Sequence, residues 1–537
     1  MNNFSSYKGA TKLNQQIEQI CDEDDESEAT NGYHEILPGV YCDEDRTLLY
    51  DRVTKEDKQG RKHTYYKPRR LQLSGMPRLI SCYKVDERGS DALDTLTYYH
   101  IDWSKRPDQP PETFSEAQMN TGECWAHWPG LPLTKRTDRD FYANVVKNQV
   151  QAFNVPVGSA KRRTGFHKDK VSQLWAYFRR DGRVITPGLE ISETNIPIVG
   201  YNFASKHAHA AAWQEQPIPI TPTSENAQSL ISWLIDTIDP HGRPLILCLN
   251  AYRAFINSFE PIGTATLVVA NDDTDITDGS SGAGKTTSVD FARGADGPCP
   301  YKASPEAGYK GTLSGVETRV KPFNDVAISV ADFHLDPNAS EKDLVAWADK
   351  LDALVSSVAD GKEVKERATK DMQAREGTVI GGFLLMDGEK LKPLLLSRLR
   401  RVQILQYRRG EINTSAMHAE WIERQTVHSA IGYAVIRKII LMVNESESTF
   451  IRIIRTKEQE YADNLFNRYM KEHAEADKEI IRSLALNFAR PVTGAYLADI
   501  AVGIPGLIEL ATERTYEHLE AQAALMQHGG PSTVDRE

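Results

Sequence analysis

Residues Gly279, Gly284, Lys285 and Thr286 occupy the fixed positions of the pattern G-x-x-x-x-G-K-[ST], written here as Gly279-Ser280-Ser281-Gly282-Ala283-Gly284-Lys285-Thr286, with Thr287 following. Each residue type has a task in holding a polyphosphate. Glycines let successive backbone N–H groups turn inward around the phosphates, the lysine ammonium reaches the β and γ oxygens, and the Thr286 hydroxyl holds Mg²⁺. The chemistry expected of residues 279–287 is therefore the binding of ATP with Mg²⁺. Such a loop needs a second carboxylate at the end of a neighbouring strand to keep the metal in place. The apolar run Val326-Ala-Ile-Ser-Val-Ala-Asp332 supplies one in Asp332, so Thr286 and Asp332 are the expected metal pair, with Asp336 four residues further on.

These residues need elements to position them. An apolar strand over 266–270 precedes the loop, with Asn-Asp-Asp-Thr-Asp-Ile-Thr-Asp278 between them, and a helix over 287–293 follows. The run 379–386 reads as another buried strand. It ends in Asp387-Gly388-Glu389 and is followed by Ser397-Arg398-Leu399-Arg400-Arg401 and the apolar Val402-Gln-Ile-Leu-Gln-Tyr407. Polar groups at such a strand tip face the γ-phosphate or the attacking water, and arginines shortly after it reach a phosphate in the same or an adjacent subunit.

Upstream, two apolar runs flank an Asp-Gly turn within 174–188, which predicts a hairpin. Helical spacing follows over 226–237 and 245–259. Past residue 411 the pattern is almost wholly helical, with turns expected near Pro491 and Pro505. The expected division is an acidic tail over 1–30, an N-terminal α+β accessory domain over 31–165, a hairpin and helical lead-in over 166–260, a P-loop core of α/β type over 261–410, a helical domain over 411–527, and a tail over 528–537.

Composition narrows the class. With 40% hydrophobic and 26% charged residues the chain buries sizeable cores, which excludes collagen-like and wholly disordered classes. A net charge of -11 means that any nucleic-acid surface is a local patch. Six cysteines without a CxxC pair argue against a zinc cluster or a disulfide scaffold and fit a reducing cytoplasm. No apolar signal core opens the chain, and neither secretion nor membrane insertion is expected.

The order of these parts resembles the AAA+ ATPase and helicase family of bacterial mobile elements and phages, likened to self-loading, MCM-like replicative helicases. The resemblance covers roughly residues 170–490. It rests on LWAYFRRDGRVITPG, LILCLNAYRAFI, GSSGAGKT, ISVADF, GGFLLMDGE and SRLRRVQIL in that order, and only GSSGAGKT is specific alone. It implies an AAA+-like core in a homo-oligomeric ring and DNA as a partner. It also implies Lys285 and Thr286 on phosphate and Mg²⁺, Asp332 as the acidic strand-end residue, and Glu389, Arg398 and Arg400 as sensor or finger residues. The family has two acids before the phenylalanine where this chain has Ala331-Asp332; either hydrolysis is slow, or Asp336 or Glu389 substitutes.

Other clusters read more plainly. His207 and His209 lack a third nearby ligand, and Cys124 with His127 lies among tryptophans, so neither pair reads as a site and no metal beyond Mg²⁺ is expected. Basic residues interleave with aromatics over 61–70, recur at Lys135, Arg136 and Arg139, and again over 161–163. Each reads first as a solvated surface and second as a contact for a nucleic-acid backbone. The function expected is a DNA helicase or translocase in phage or mobile-element replication. The rivals are a nucleotide-regulated switch or defence ATPase, and a DNA packaging motor.

Overall fold

The computed structural model describes residues 32–44, 49–68, 77–85, 96–102, 112–121, 125, 136–160, 163–169, 172–180, 183–193, 222–261, 263–270, 284–299, 301, 305–308, 316, 319–320, 323–333, 340–360, 380–388, 401–408 and 410–528. They fall in two compact units, one within Met1–Cys82 and Tyr99–Val157, the other within Tyr83–Tyr98 and Gly158–Glu537.

In the first unit β1 (Tyr33–Leu37), β2 (Val40–Asp43), β3 (Leu49–Glu56) and β4 (Lys62–Pro68) form an antiparallel meander in chain order. A second sheet has β5 (Arg78–Val85), β6 (Leu96–Asp102) and β7 (Glu112–Ser115) as neighbours. Helices α1 (Glu116–Thr121) and α2 (Arg136–Ala152) follow, then β8 (Val157–Ala160). Along α2, Tyr142, Val145, Val146 and Gln149 recur at the spacing of one face and are buried. Gln149 is the polar member. Its amide accepts from Leu79 N at 3.0 Å and donates to the Pro77 carbonyl at 2.9 Å, so the polar group enters the core fully paired.

The second unit opens with an antiparallel sheet of β9 (Gly165–Lys168), β10 (Trp175–Phe178), β11 (Arg183–Ile185) and β12 (Ile191–Glu193). Strands β10 and β11 pair with Tyr177 opposite Ile185, the hairpin that the Asp-Gly turn predicts. Next come α3 (Ser224–Ser232), capped by the Thr223 hydroxyl accepting from Asn226 N, and a π-helical turn over Trp233–Ile238. The expected helix over 226–237 therefore changes its winding midway, and Asp239 N bonds back to Leu234 O at 3.0 Å. Helix α4 (Arg243–Ala254) is buried at every residue and ends five residues short of the expected 259.

A five-stranded parallel sheet forms the centre of this unit. Its strands are β13 (Ala265–Ala270), β14 (Ala307–Gly308), β15 (Ala327–Phe333), β16 (Phe383–Gly388) and β17 (Val402–Tyr407), in the order β14-β15-β16-β13-β17. Strands covered on both faces are expected as nearly continuous apolar runs, as ATLVVA, AISVADF and FLLM are. Two further helices belong to this region, α5 (Lys285–Arg293) after β13 and α6 (Glu341–Asp360) after β15. Strand β16 begins at Phe383, later than the expected 379, and before it Gly381 and Gly382 lie so close to Asn324 and Ile328 that a Cβ would clash.

The C-terminal region is helical: α7 (Thr414–Ala419), α8 (Trp421–Glu472), α9 (Lys478–Val502) and α10 (Leu507–His528). The expected turn at Pro491 is absent, because Pro491 lies inside α9. A proline there leaves the carbonyl four residues earlier without its N–H partner. That carbonyl belongs to Asn487, and Gln403 Nε2 of β17 donates to it at 2.5 Å. Gln403 Oε1 accepts in turn from Asn250 Nδ2 at 2.6 Å and Thr266 Oγ1 at 2.9 Å, so one side chain ties α9, α4 and β13 together.

His428 of α8 shows how this packing sets protonation. It is fully buried, it stacks on Phe291 at 5.3 Å, and burial pushes its pKa down to about 4. The Ala292 carbonyl only accepts, so Nε2 carries the proton donated to it at 3.1 Å, and Nδ1 accepts from the Tyr252 hydroxyl at 2.7 Å. In the unfolded chain the ring protonates near 6.5, so stability present above that value is lost as pH falls towards 4. Between pH 7 and 5 the wild type should lose about 2 kcal/mol more than His428→Gln in urea unfolding, the share set by this one ring. Equal losses in the two proteins would refute the neutral, buried assignment.

Candidate functional site

The site is built at the C-terminal edge of the parallel sheet, where α/β folds place their ligands. Gly284 stands at the N-terminus of α5 with φ 81°, a left-handed backbone that glycine adopts without strain. A Cβ at this position would lie 2.8 Å from Ile412 Cγ2 and 3.0 Å from Thr414 Cγ2, so the segment after β17 also demands glycine here. The Gly284 carbonyl starts the helix by accepting from both Ser288 N and Ser288 Oγ at 2.9 Å.

Lys285 and Thr286 thus fall in the first turn of a nine-residue helix that has no acidic residue there. Backbone N–H groups without intrahelical partners and the positive end of the helix dipole favour an anion at this point. Lys285 is largely buried, at 9% exposure, whereas Thr286 is exposed. The Thr286 hydroxyl donates to Asp387 Oδ2.

Asp387 is one of the polar residues that the sequence places at a strand tip, but not one that it assigns to the metal. It is nearly buried on β16, and β16 lies between β13 and β15. Its backbone pairs with Val268 of β13. On the other side the register runs from Val330 opposite Met386 to Phe333 opposite Gly388, so Ala331 and Asp332 together face the single residue Asp387. A bulge of this kind re-aims side chains and is common beside functional sites. It brings the backbone of Asp332 to the same rung as the carboxylate that Thr286 touches. A hydroxyl and a carboxylate are hard oxygen donors, the set that suits Mg²⁺.

Below this edge lies a buried charge cluster. Arg180, at the end of the β10 segment, donates to Asp296 Oδ2 at 2.9 Å, Glu306 Oε1 at 3.2 Å and the Ala327 carbonyl at 3.0 Å. Arg293 of α5 donates to Asp290 Oδ1 at 2.8 Å and to Glu306 Oε1 at 2.5 Å, and Glu306 Oε2 accepts from Ser329 N of β15 at 2.7 Å. Helix α5, strand β15 and the hairpin are therefore held by shared carboxylates, and removing one partner from such a set leaves a buried charge uncompensated. Burial pushes the Asp290 carboxyl up to about 7 against the pull of Arg293, and Glu306 and Asp387 add repulsion. Asp290 lies one turn after Thr286, so a second negative charge beneath the Thr286–Asp387 pair is held back near neutral pH.

The remaining sequence expectations fall unevenly. Gly284, Lys285, Thr286 and Thr287 are described, whereas Gly279, Ser280, Ser281, Gly282, Ala283, Asp336, Glu389, Arg398 and Arg400 lie outside the described residues, as do His207, His209, Cys124 and His127. Asp332 is described in its backbone. Sequence reasoning also misses Arg180, which is 3% exposed.

No protein-family model matches the chain, and no curated protein sequence does. Among solved structures the chain is similar to one titled "SCCmec type IV Cch - active helicase", with a TM-score of 0.46 and 8% sequence identity, covering 89% of this chain and 77% of that one.

Proposed function

We propose that the chain is a P-loop ATPase of the AAA+ type that works as a helicase or translocase on DNA in a mobile element or phage. The observation that carries this reading is the Thr286 hydroxyl on Asp387, next to Lys285 in the first turn of α5 and at the C-terminal edge of a parallel sheet. The strand order adds support, because β13, which leads towards the loop, lies between β16 and β17 with β15 one strand further out.

In this reading the Lys285 ammonium neutralises charge on the β- and γ-phosphates of ATP, and the first-turn N–H groups of α5 orient them. Mg²⁺, when bound, supplies Lewis acidity at the β- and γ-phosphate oxygens. Thr286, Asp387 and Asp332 are the residues of this chain that would hold it. Glu389 is assigned to position the attacking water, and Arg398 and Arg400 to stabilise charge on the transferred group from a neighbouring subunit of a ring.

A second reading is favoured by one feature, Ala331 standing where a second acid would precede the phenylalanine. A nucleotide-regulated switch binds ATP, hydrolyses it slowly and moves no strand. The two readings separate in one assay, the ATPase rate measured with and without single-stranded DNA alongside strand displacement. A motor shows a rate that rises severalfold with DNA and displaces a strand. ATP binding with a rate indifferent to DNA supports the switch, and absence of ATP binding removes both.

A further inference from the structure

The hairpin of β3 and β4 is built like an arm. The strands pair from Tyr50 opposite Pro68 out to Glu56 opposite Lys62. Beyond Tyr50 every residue of the arm is exposed or half-exposed on both faces. Packing holds the base, where Tyr66 stacks on Tyr33 at 4.5 Å and meets Tyr41 edge-on at 4.9 Å. A two-stranded ribbon without a covered face is marginal in water. This one is stiffened locally: Asp57 Oδ1 accepts from Gln59 N at 2.7 Å and Arg61 N at 2.8 Å, and Gly60 takes φ 79° to close the turn.

The charge on the arm opposes that of the chain. Residues 51–67 carry six cations, Arg52, Lys55, Lys58, Arg61, Lys62 and Lys67, against three carboxylates, in a protein of net charge -11. One of the three, Asp57, is engaged by the turn and by His63 at 3.3 Å. Antiparallel partners share a face, so one face holds Lys55 with His63, Val53 with Tyr65, and Asp51 with Lys67. Tyr65, at 38% exposure, is the large aromatic among these cations, and Lys55 Nζ lies 5.3 Å from its ring centre.

We infer that this arm is a docking surface for single-stranded nucleic acid, with Tyr65 stacking on a base and the surrounding lysines and arginines contacting phosphates. Charge complementarity identifies the partner as a polyanion. The aromatic set between cations selects a strand with unstacked bases, because every base offers a ring face to stack. The inference does not rest on the ATPase reading, since it uses none of the residues at the parallel sheet.

Fluorescence anisotropy of a labelled oligothymidylate with the full-length chain and no nucleotide tests it, against a duplex of equal length and against heparin. The triple variant Lys55→Ser/Arg61→Ser/Lys67→Ser should weaken oligothymidylate binding about tenfold or more and lower the slope of log K against log salt by about two, at about 0.7 for each phosphate that a cation neutralises on a single strand. Tyr65→Ala should weaken binding by about fivefold or more at an unchanged salt slope, and Tyr65→Phe should restore it, since stacking needs the ring and not the hydroxyl. Melting temperature and DNA-free ATPase rate should match the wild type in all three variants. Wild-type affinity and slope in the triple and Tyr65→Ala variants would overturn the proposal. Tighter binding to the duplex would overturn its single-strand part, and indifference to Tyr65 together with equal binding to heparin would reduce the arm to a nonspecific cationic surface.

Discussion

Lys285→Ala should lower ATP affinity or turnover by at least about 100-fold, or about 3 kcal/mol, because the charge-assisted hydrogen bonds to two phosphates disappear together. The same substitution should leave the unliganded chain folded. Lys285 sits at 9% exposure in the first turn of α5, where its charge opposes the helix dipole. Melting temperatures with and without ATP check both halves: the nucleotide-induced rise should vanish while the baseline holds. Mixing Lys285→Ala with an Arg398→Ala/Arg400→Ala variant should restore some hydrolysis if arginines act across a ring interface, since some interfaces would join an intact loop to intact arginines. Undiminished ATP binding by Lys285→Ala would remove the motor and the switch alike.

The parts of this site that local sequence discloses are those that local physics determines. Strands β13, β15 and β16 are legible because strands covered on both faces read as nearly continuous apolar runs. Where distant residues decide, single-segment reasoning fails. Pro491 reads as a break, but Gln403, 88 positions earlier, supplies the donor that lets α9 continue through it. Arg180 goes unnoticed in its own segment, because Asp296 and Glu306, which pair with it, arrive from the region between α5 and β15. The bulge that aligns Asp332 with Asp387 depends on how two strands pair more than 50 residues apart, which no periodicity within either run encodes.

That rung carries the second large effect. Asp387→Asn keeps the side chain's shape and can still accept from the Thr286 hydroxyl, so the fold should persist, while the carboxylate charge beside Thr286 is removed. If Asp387 and Asp332 hold one ion with Thr286, each Asn variant should lower Mg²⁺-dependent ATPase by about 100-fold and raise the Mg²⁺ concentration needed for half-maximal rate. Residues acting on a shared ion are coupled, so the double variant should be little worse than the worse single one. Asp290 offers a control that needs no nucleotide. Repulsion from Asp387 is among the causes that hold the Asp290 carboxyl near 7, with burial the largest, so Asp387→Asn should let it ionise at lower pH. A carboxyl whose folded pKa is raised loses stability as pH climbs through that value. The variant should therefore lose less stability than the wild type between pH 6 and 8 in urea unfolding. An unchanged Mg²⁺ requirement together with this altered pH slope would make Asp387 a structural partner of Thr286 alone and leave the metal to Asp332.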